Sequence, residues 1–292
     1  MTFGQLRTYL AVAETGSVRA AAERLVVTQS AVSAALAALH RELGVALVER
    51  DGRGLRLTPA GRVYAGYATA VLGTLEEGRN AALATQDPAR GRLRIAAVTT
   101  AAEHLLPLLV AGLLARHPGI ELSVGVGTRE EVVGMLRGHT ADVAVAGRPP
   151  AGLVSRAVRP NELVVVAAPA LAAGVAGVRE LPWLLRGHGS GTRETTAALL
   201  EQLQADPPVL TLGSNGAVVA GAVAGLGVTL VSRDAVRDLV QAGRLVELRV
   251  PGTPLTRPWH LVTRRAAPAT AELFVAHALA EGTWRRPPGR AR

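Results

Sequence analysis

The sequence predicts an α/β protein in three parts: a small helical head, a long connecting helix and a two-lobed α/β body. Three observations carry this. Up to Gly44 the apolar residues recur only at helical spacing. From Pro59 to about Thr85 a helical pattern runs on without a break. From Gly91 the chain alternates strand and helix patterns in two successive sets. At 292 residues the chain is too long for one core of ordinary size.

The first helix spans residues 3–14, with Phe3, Leu6, Leu10 and Ala13 on one face. Gly16 stops it and Ser17 caps the next. The second helix reaches Leu25, with Val18, Ala21, Ala22 and Leu25 inward. The third starts at Thr28 and ends at Gly44, its inner stripe being Val32, Leu36, Leu39 and Leu43. In "VALVERDGRGLRLT", residues 45–58, two short strands flank the turn signal "DGRG". Thr58-Pro59 opens the long helix, and Asp87-Pro88 ends it. Beyond it, "RLRIAAV", "IELSVGVG" and "ADVAVAG" read as strands around the helices "AEHLLPLLVAGLLARHPG" and "REEVVGMLRGH". The second set runs "LVVVAAP", "TRETTAALLEQLQA", "VLTLGS", "NGAVVAGAVAGLG" and "VTLVS". "PWHLVTRR" returns as a strand before a last helix over 269–281. Parallel-type sheets in two lobes joined by two crossings are expected.

Composition excludes several chemistries. There is no cysteine, so disulfides, thiolate metal sites and cysteine nucleophiles are ruled out. The N-terminus has no basic region followed by an apolar run. The uncharged stretch Pro207 to Ser232 holds five glycines and divides as strand, helix, strand rather than a membrane span. A cytoplasmic protein without a membrane partner is expected. Net charge is +9, and every basic residue is Arg. Residues 1–90 carry 10 Arg against 8 acids, and residues 91–292 carry 22 against 15. The charge therefore permits nucleic-acid binding without locating it.

The break at "VVTQS" between the second and third helices has the anatomy of a helix-turn-helix. It leaves Thr28, Gln29, Ser30 and Ser33 at the exposed start of the third helix. That end enters the major groove in DNA-binding modules. Gln pairs with adenine edges, and Ser serves bases or phosphates. Arg53 and Arg56 on the hairpin would lie beside the DNA backbone as a wing. By periodicity alone an ordinary three-helix packing motif stays open. So does a small-molecule binding protein whose N-terminal helices only oligomerise it.

The stretch from "FGQLRTYLAVAETGSVRAAAERL" through "TQSAVS" (28–33), "LGVALVER" (43–50) and "LTPAG" (57–61) closely resembles the N-terminal domain of the LysR-type transcriptional regulators. The rest of the chain fits the same family. The resemblance implies a winged helix-turn-helix over 1–58, a linker helix over 59–88, and a periplasmic-binding-protein-like effector domain over 89–292. Lobe I of that domain is expected over 89–161 and 265–292, lobe II over 162–264. It adds Ser17 and Arg50 to the DNA-binding candidates. It implies operator DNA as partner, a homodimer through the linker helix, a tetramer through the effector domains, and RNA polymerase as a further candidate partner. The linker's Val63, Tyr67, Val71, Leu75 and Leu83 could also pack on their own domain. Three positions depart from the family: Ala35 where Gln is usual, His40 where Glu is usual, and Val48 where Phe is usual. The first two leave the third helix poor in polar residues.

Ligands of two-lobed α/β domains bind where strand ends meet helix starts. Thr99 and Thr100 follow the first strand directly. "RGHGSGTRE" offers Ser190, Gly191, Thr192 and Arg193 as an anion cradle at a helix start. Gly147 and Asn215 end other strands. Gly-Ser-Gly is equally an ordinary loop, and Thr at a helix start is ordinarily a cap. "GSGTRE" with "LGSNGAVVAGAVAGLG" resembles the branch that governs carbon-fixation and sulfur-assimilation operons. That implies a small anionic effector, an oxyanion or a phosphorylated metabolite. Enzyme readings fail. "GHGSGTRE" lacks the Lys of a phosphate-binding loop, no Ser sits in a G-x-S-x-G elbow, and the seven histidines show no metal-ligand spacing. No catalytic residue, metal or cofactor is expected.

Overall fold

Caps set the N-terminal helices. A computed structural model describes residues 1–52, 54–84, 91–172 and 177–288. The chain forms two units, Met1–Leu83 with Arg137–Thr140, and Ala84–Leu136 with Ala141–Arg292. In the first unit, α1 (Phe3–Thr15) opens on a capping box between Thr2 and Gln5 and closes on Gly16 at φ 63°. Ser17 caps α2 (Val18–Leu25), and Thr28 caps α3 (Gln29–Leu43), which ends on Gly44 at φ 69°. Strands β1 (Val48–Asp51) and β2 (Gly54–Leu57) form the hairpin, with Val48 opposite Leu57 and Asp51 opposite Gly54. The Thr58 hydroxyl accepts the Gly61 N–H as α4 (Pro59–Ala84) begins.

Leu6, Tyr9, Val12, Ala21, Ala22, Val32, Leu36, Leu39, Leu47 and Ala68 make the core of this unit. The buried face of α1 is turned from the one expected. Phe3 is half exposed, and Tyr9 takes a central place. A buried phenol needs a partner, and Tyr9 donates to the Gly61 carbonyl at 2.7 Å. On α4, Val63, Tyr67, Val71 and Leu75 stay exposed. The Leu83 side chain and residues 85–90, with the expected helix end, lie outside the described residues.

The second unit has two lobes. In lobe I the sheet order is β4 (Glu121–Gly127), β3 (Arg92–Val98), β5 (Val143–Ala146), β13 (Trp259–Thr263) and β6 (Val154–Arg159). β3 runs parallel to β4 and β5, while β13 runs antiparallel to β5 and β6. Alternate residues of β3 serve opposite faces. Leu93, Ile95 and Ala97 pack with α6 (Leu106–Arg116) and α12 (Ala269–Ala280); Ala96 packs with α7 (Arg129–Arg137).

In lobe II the strand β7 (Glu162–Ala167) is central. It pairs antiparallel with β10 (Thr229–Ser232), β11 (Val246–Leu248) and β12 (Leu255–Thr256). β8 (Trp183–Arg186) and β9 (Val209–Leu212) form a parallel pair, and Leu184 N–H reaches the Val228 carbonyl at 2.8 Å. Val164 and Val166 face α10 (Asn215–Val223) and α11 (Arg233–Gln241); Leu163, Val165 and Ala167 face α9 (Gly191–Gln202).

Three expectations need correction. The sheets are mixed, not parallel throughout, because β13 and β7 are the crossing strands and run against their neighbours. The return crossing falls between β12 and β13, so β13 belongs to the lobe I sheet rather than to lobe II. The expected single helix after β3 is two: α5 (Thr99–His104) and α6, divided at Leu105. Pro107 has no N–H to bond back to Glu103 and its ring crowds that carbonyl, so the helix restarts with Pro in its first turn. The uncharged stretch from Pro207 forms β9, α10 and β10. Among the described residues no helix is long and apolar enough to cross a membrane.

Candidate functional site

The start of α3 is held out by its neighbours. Between α2 and α3 the chain turns through Val26 at φ 55°, with Val27 N–H on the Ala22 carbonyl at 3.0 Å. The Thr28 hydroxyl accepts the Ala31 N–H and lies 2.9 Å from the Ser30 hydroxyl. Gln29, Ser30 and Ser33 are exposed. Ser17 is half-buried and its hydroxyl accepts the Ala20 N–H. On the hairpin Arg50 is exposed, and Arg56 pairs with Glu49 across the strands at 2.9 Å. Arg53 lies outside the described residues. His40 does not face outward as a reader would. Its Nε2 accepts the Leu47 N–H at 3.2 Å, which anchors the segment leading into the hairpin.

A cleft of about 260 Å³ lies between the two lobes of the second unit. Lobe I brings Thr99, Thr100, Thr128, Arg129 and Gly147. Lobe II brings Arg186, the loop from Gly187 to Thr192, and Ser232. The crossings bring Asn161 and the run Arg257–Trp259. Asn161 ties the two crossings together. Its amide donates to the Arg257 carbonyl at 2.9 Å and its Oδ1 accepts the Ser232 hydroxyl at 2.5 Å, while Arg257 N–H donates to the Asn161 carbonyl at 2.9 Å.

Helix starts around this cleft differ in their caps. At α7 the Thr128 hydroxyl and the Glu131 carboxylate close a mutual cap, which holds that carboxylate below its usual range. At α9 and α11 the N-cap residues Ser190 and Ser232 make no side-chain capping bond. Both line the cleft. Their helices therefore leave first-turn N–H groups without a side-chain cap, the arrangement that favours an anion.

Charge in the cleft has one sign. Three guanidinium groups, Arg129, Arg186 and Arg257, line it with six hydroxyl side chains, and among the described residues no carboxylate does. Arg257 donates to the Gly191 carbonyl at 2.8 Å and to the Thr195 hydroxyl at 2.7 Å. Burial, then Arg129, pushes its pKa down from the usual arginine value. The Arg186 Nε is buried and has no hydrogen-bond partner. Arg129 spends one donor on the Arg148 carbonyl at 2.8 Å. An anion would answer all three.

Of the residues expected from sequence, Thr99, Thr100, Gly147, Ser190, Gly191 and Thr192 line the cleft. Arg193 and Asn215 do not. Arg193 turns under the loop to the Arg186 carbonyl at 2.7 Å and the Thr211 hydroxyl at 3.2 Å. Asn215 follows the Ser214 cap and is buried at the start of α10, facing a separate groove beside Glu103 and His104. Sequence reasoning missed Arg129, Arg186 and Arg257. Arg186 opens "RGHGSGTRE" but is not among the residues expected from that stretch, and only the fold brings the three together.

Residues 3–62 match the family model described as "Bacterial regulatory helix-turn-helix protein, lysR family", and residues 86–283 match "LysR substrate binding domain". The chain is 35% identical over 270 residues to the RuBisCO operon transcriptional regulator of Allochromatium vinosum, covering 89% of each chain. Among solved structures it is similar to CbnR, a LysR family transcriptional regulator, with TM-score 0.69 and 25% identity over 96% of this chain and 99% of that one. It is also similar to the Synechocystis PCC6803 CcmR regulatory domain in complex with 2-PG, with TM-score 0.59 and 26% identity over 65% of this chain and 96% of that one.

Proposed function

Because the chain belongs to the LysR family of DNA-binding transcriptional regulators, which are not enzymes, we propose that a small anion bound in its interlobe cleft controls how it holds DNA. One observation carries this reading: three arginines and the uncapped starts of α9 and α11 converge on a cleft that no carboxylate lines among the described residues. The buried Arg186 Nε has no hydrogen-bond partner, a cost that a bound anion would relieve. Thr99, Thr100, Ser190 and Thr192 supply hydroxyls that orient the ligand. An oxyanion or a phosphorylated metabolite suits this chemistry. The Synechocystis domain solved with 2-PG makes that compound the first to test. The relative named for the RuBisCO operon supports target genes of the carbon-fixation kind.

At the other end of the chain, Gln29 and Ser33 read base edges in the major groove, while Arg50, Arg53 and Arg56 meet phosphates. The chain works as a homodimer through α4. Val63, Tyr67, Val71 and Leu75 recur every fourth residue and are all exposed, a stripe that a second copy would cover. Cleft closure by the anion shifts the geometry of the dimer and so the spacing of its DNA contacts.

The test is fluorescence anisotropy of the full chain on the intergenic DNA upstream of its own gene, against scrambled DNA, across a salt series. Preference for the native fragment that persists as salt rises supports the reading. Titration with 2-PG, sulfate and a neutral polyol then asks whether only anions shift the affinity or the footprint. Equal response to all three, or none, sinks the effector half.

A further inference from the structure

The outward face of α3 carries a signal of its own. Its inner stripe, Val32, Leu36 and Leu39, is buried against the other helices of the first unit. On the outward side run Ser30, Ser33, Ala34, Ala37 and Arg41, at i, i+3, i+4, i+7 and i+11. All five are exposed. The middle of this stripe is two methyl groups. Between Ser33 and Arg41 no exposed side chain of α3 can donate or accept a hydrogen bond. The one polar side chain in that interval, His40, is half-buried and holds the Leu47 N–H.

A helix with this face reads little by hydrogen bonding. Its N-terminal turn has Gln29, Ser30 and Ser33, and one turn further on only Ala34 and Ala37 remain. Short side chains also let the helix backbone lie closer to the base edges than long ones would. The major-groove feature that complements an exposed methyl is the thymine 5-methyl group, since the other base edges there present donors and acceptors that an alanine leaves unpaired. We infer that Ala34 and Ala37 are specificity-determining residues that select thymine through its methyl group. This rests on the reading above that the start of α3 enters the major groove, and it continues that interface by one turn. The same face would reject guanine and cytosine by leaving their polar edges desolvated.

The experiment uses the full-length protein. A random duplex pool is selected for binding, and the enriched operator is resynthesised with uracil at each thymine in turn, which removes only the methyl. Uracil is expected to weaken binding about fourfold at one or two positions in each half-site, the effect of burying one methyl. The same substitution elsewhere in the duplex leaves affinity unchanged. Ala34→Ser and Ala37→Ser, checked for an unaltered thermal midpoint, are each expected to erase the uracil penalty at one of those positions. If no thymine responds to uracil while 7-deaza-adenine still weakens binding opposite Gln29, this inference is overturned and the DNA reading stands. If selection enriches no sequence, both fall.

Discussion

Leu55 N–H donates to the Gly16 carbonyl at 2.8 Å, and this one bond latches the hairpin onto the junction of α1 and α2. Gly16 sits at φ 63°, and a Cβ there would stand 3.2 Å from the Leu55 carbonyl. Gly54 is as tightly placed, since its Cβ would lie 3.0 Å from the Gly16 carbonyl. The wing is therefore positioned by backbone on both sides. Gly16→Ala is expected to cost the first unit about 1–2 kcal/mol, the left-handed penalty plus the displaced contact. Chemical denaturation measures it. DNA affinity should fall alike for native and scrambled sequences, because the wing arginines and not the base readers are moved.

Arg257 and Gly191 form a second interlocked pair. The Arg257 Nη2 lies 2.5 Å from where a Gly191 Cβ would be. Arg257→Met is expected to weaken anion binding at least tenfold, the loss of charge-assisted bonds. Gly191→Ala should also weaken it, by pushing the guanidinium aside while keeping the charge. Calorimetric titration with 2-PG and with sulfate reads both variants. An Arg257→Met protein that binds either anion as tightly as the parent would remove Arg257 from the site.

Local rules made much of this chain legible. Gly16, Ser17, Thr28 and Gly44 mark helix ends because capping is decided within four residues. Thr99, Thr100 and the loop from Ser190 could be placed because they follow strand ends, where such clefts open. The misses have one cause. Arg257 reaches Gly191 across 66 residues of sequence, and Arg186 and Arg129 come from different lobes. No local pattern records that convergence. Arg193 misled for the opposite reason: its charge advertised a ligand, yet the carbonyl of Arg186 lay nearer.

Tyr9 gives the first unit an alkaline limit. Burial, then the neighbouring Tyr64, pushes its pKa from 10.0 to about 12. The folded state thus favours the protonated phenol, which donates to Gly61. That stabilisation is complete below pH 10 and is lost as pH rises towards 12. Far-UV circular dichroism from pH 9 to 12.5 should show helix loss in that window. Tyr9→Phe removes this pH dependence together with the extra hydrogen bond to the Gly61 carbonyl, at about 1 kcal/mol throughout. An identical alkaline transition in the variant would assign the limit to another group.

Val26 holds the turn before α3 at a cost. It is β-branched, lies at φ 55° and is 91% exposed, so no packing offsets the strain of a left-handed backbone. Asn adopts that conformation readily through its short polar side chain. Val26→Asn is therefore expected to stabilise the first unit by about 1 kcal/mol. The gain should appear in denaturant midpoint with an unchanged slope, since the surface exposed on unfolding is the same. No gain would mean that the turn relaxes in solution to a conformation in which valine is unstrained, and amide exchange at Val27, whose N–H bonds the Ala22 carbonyl, would then be fast.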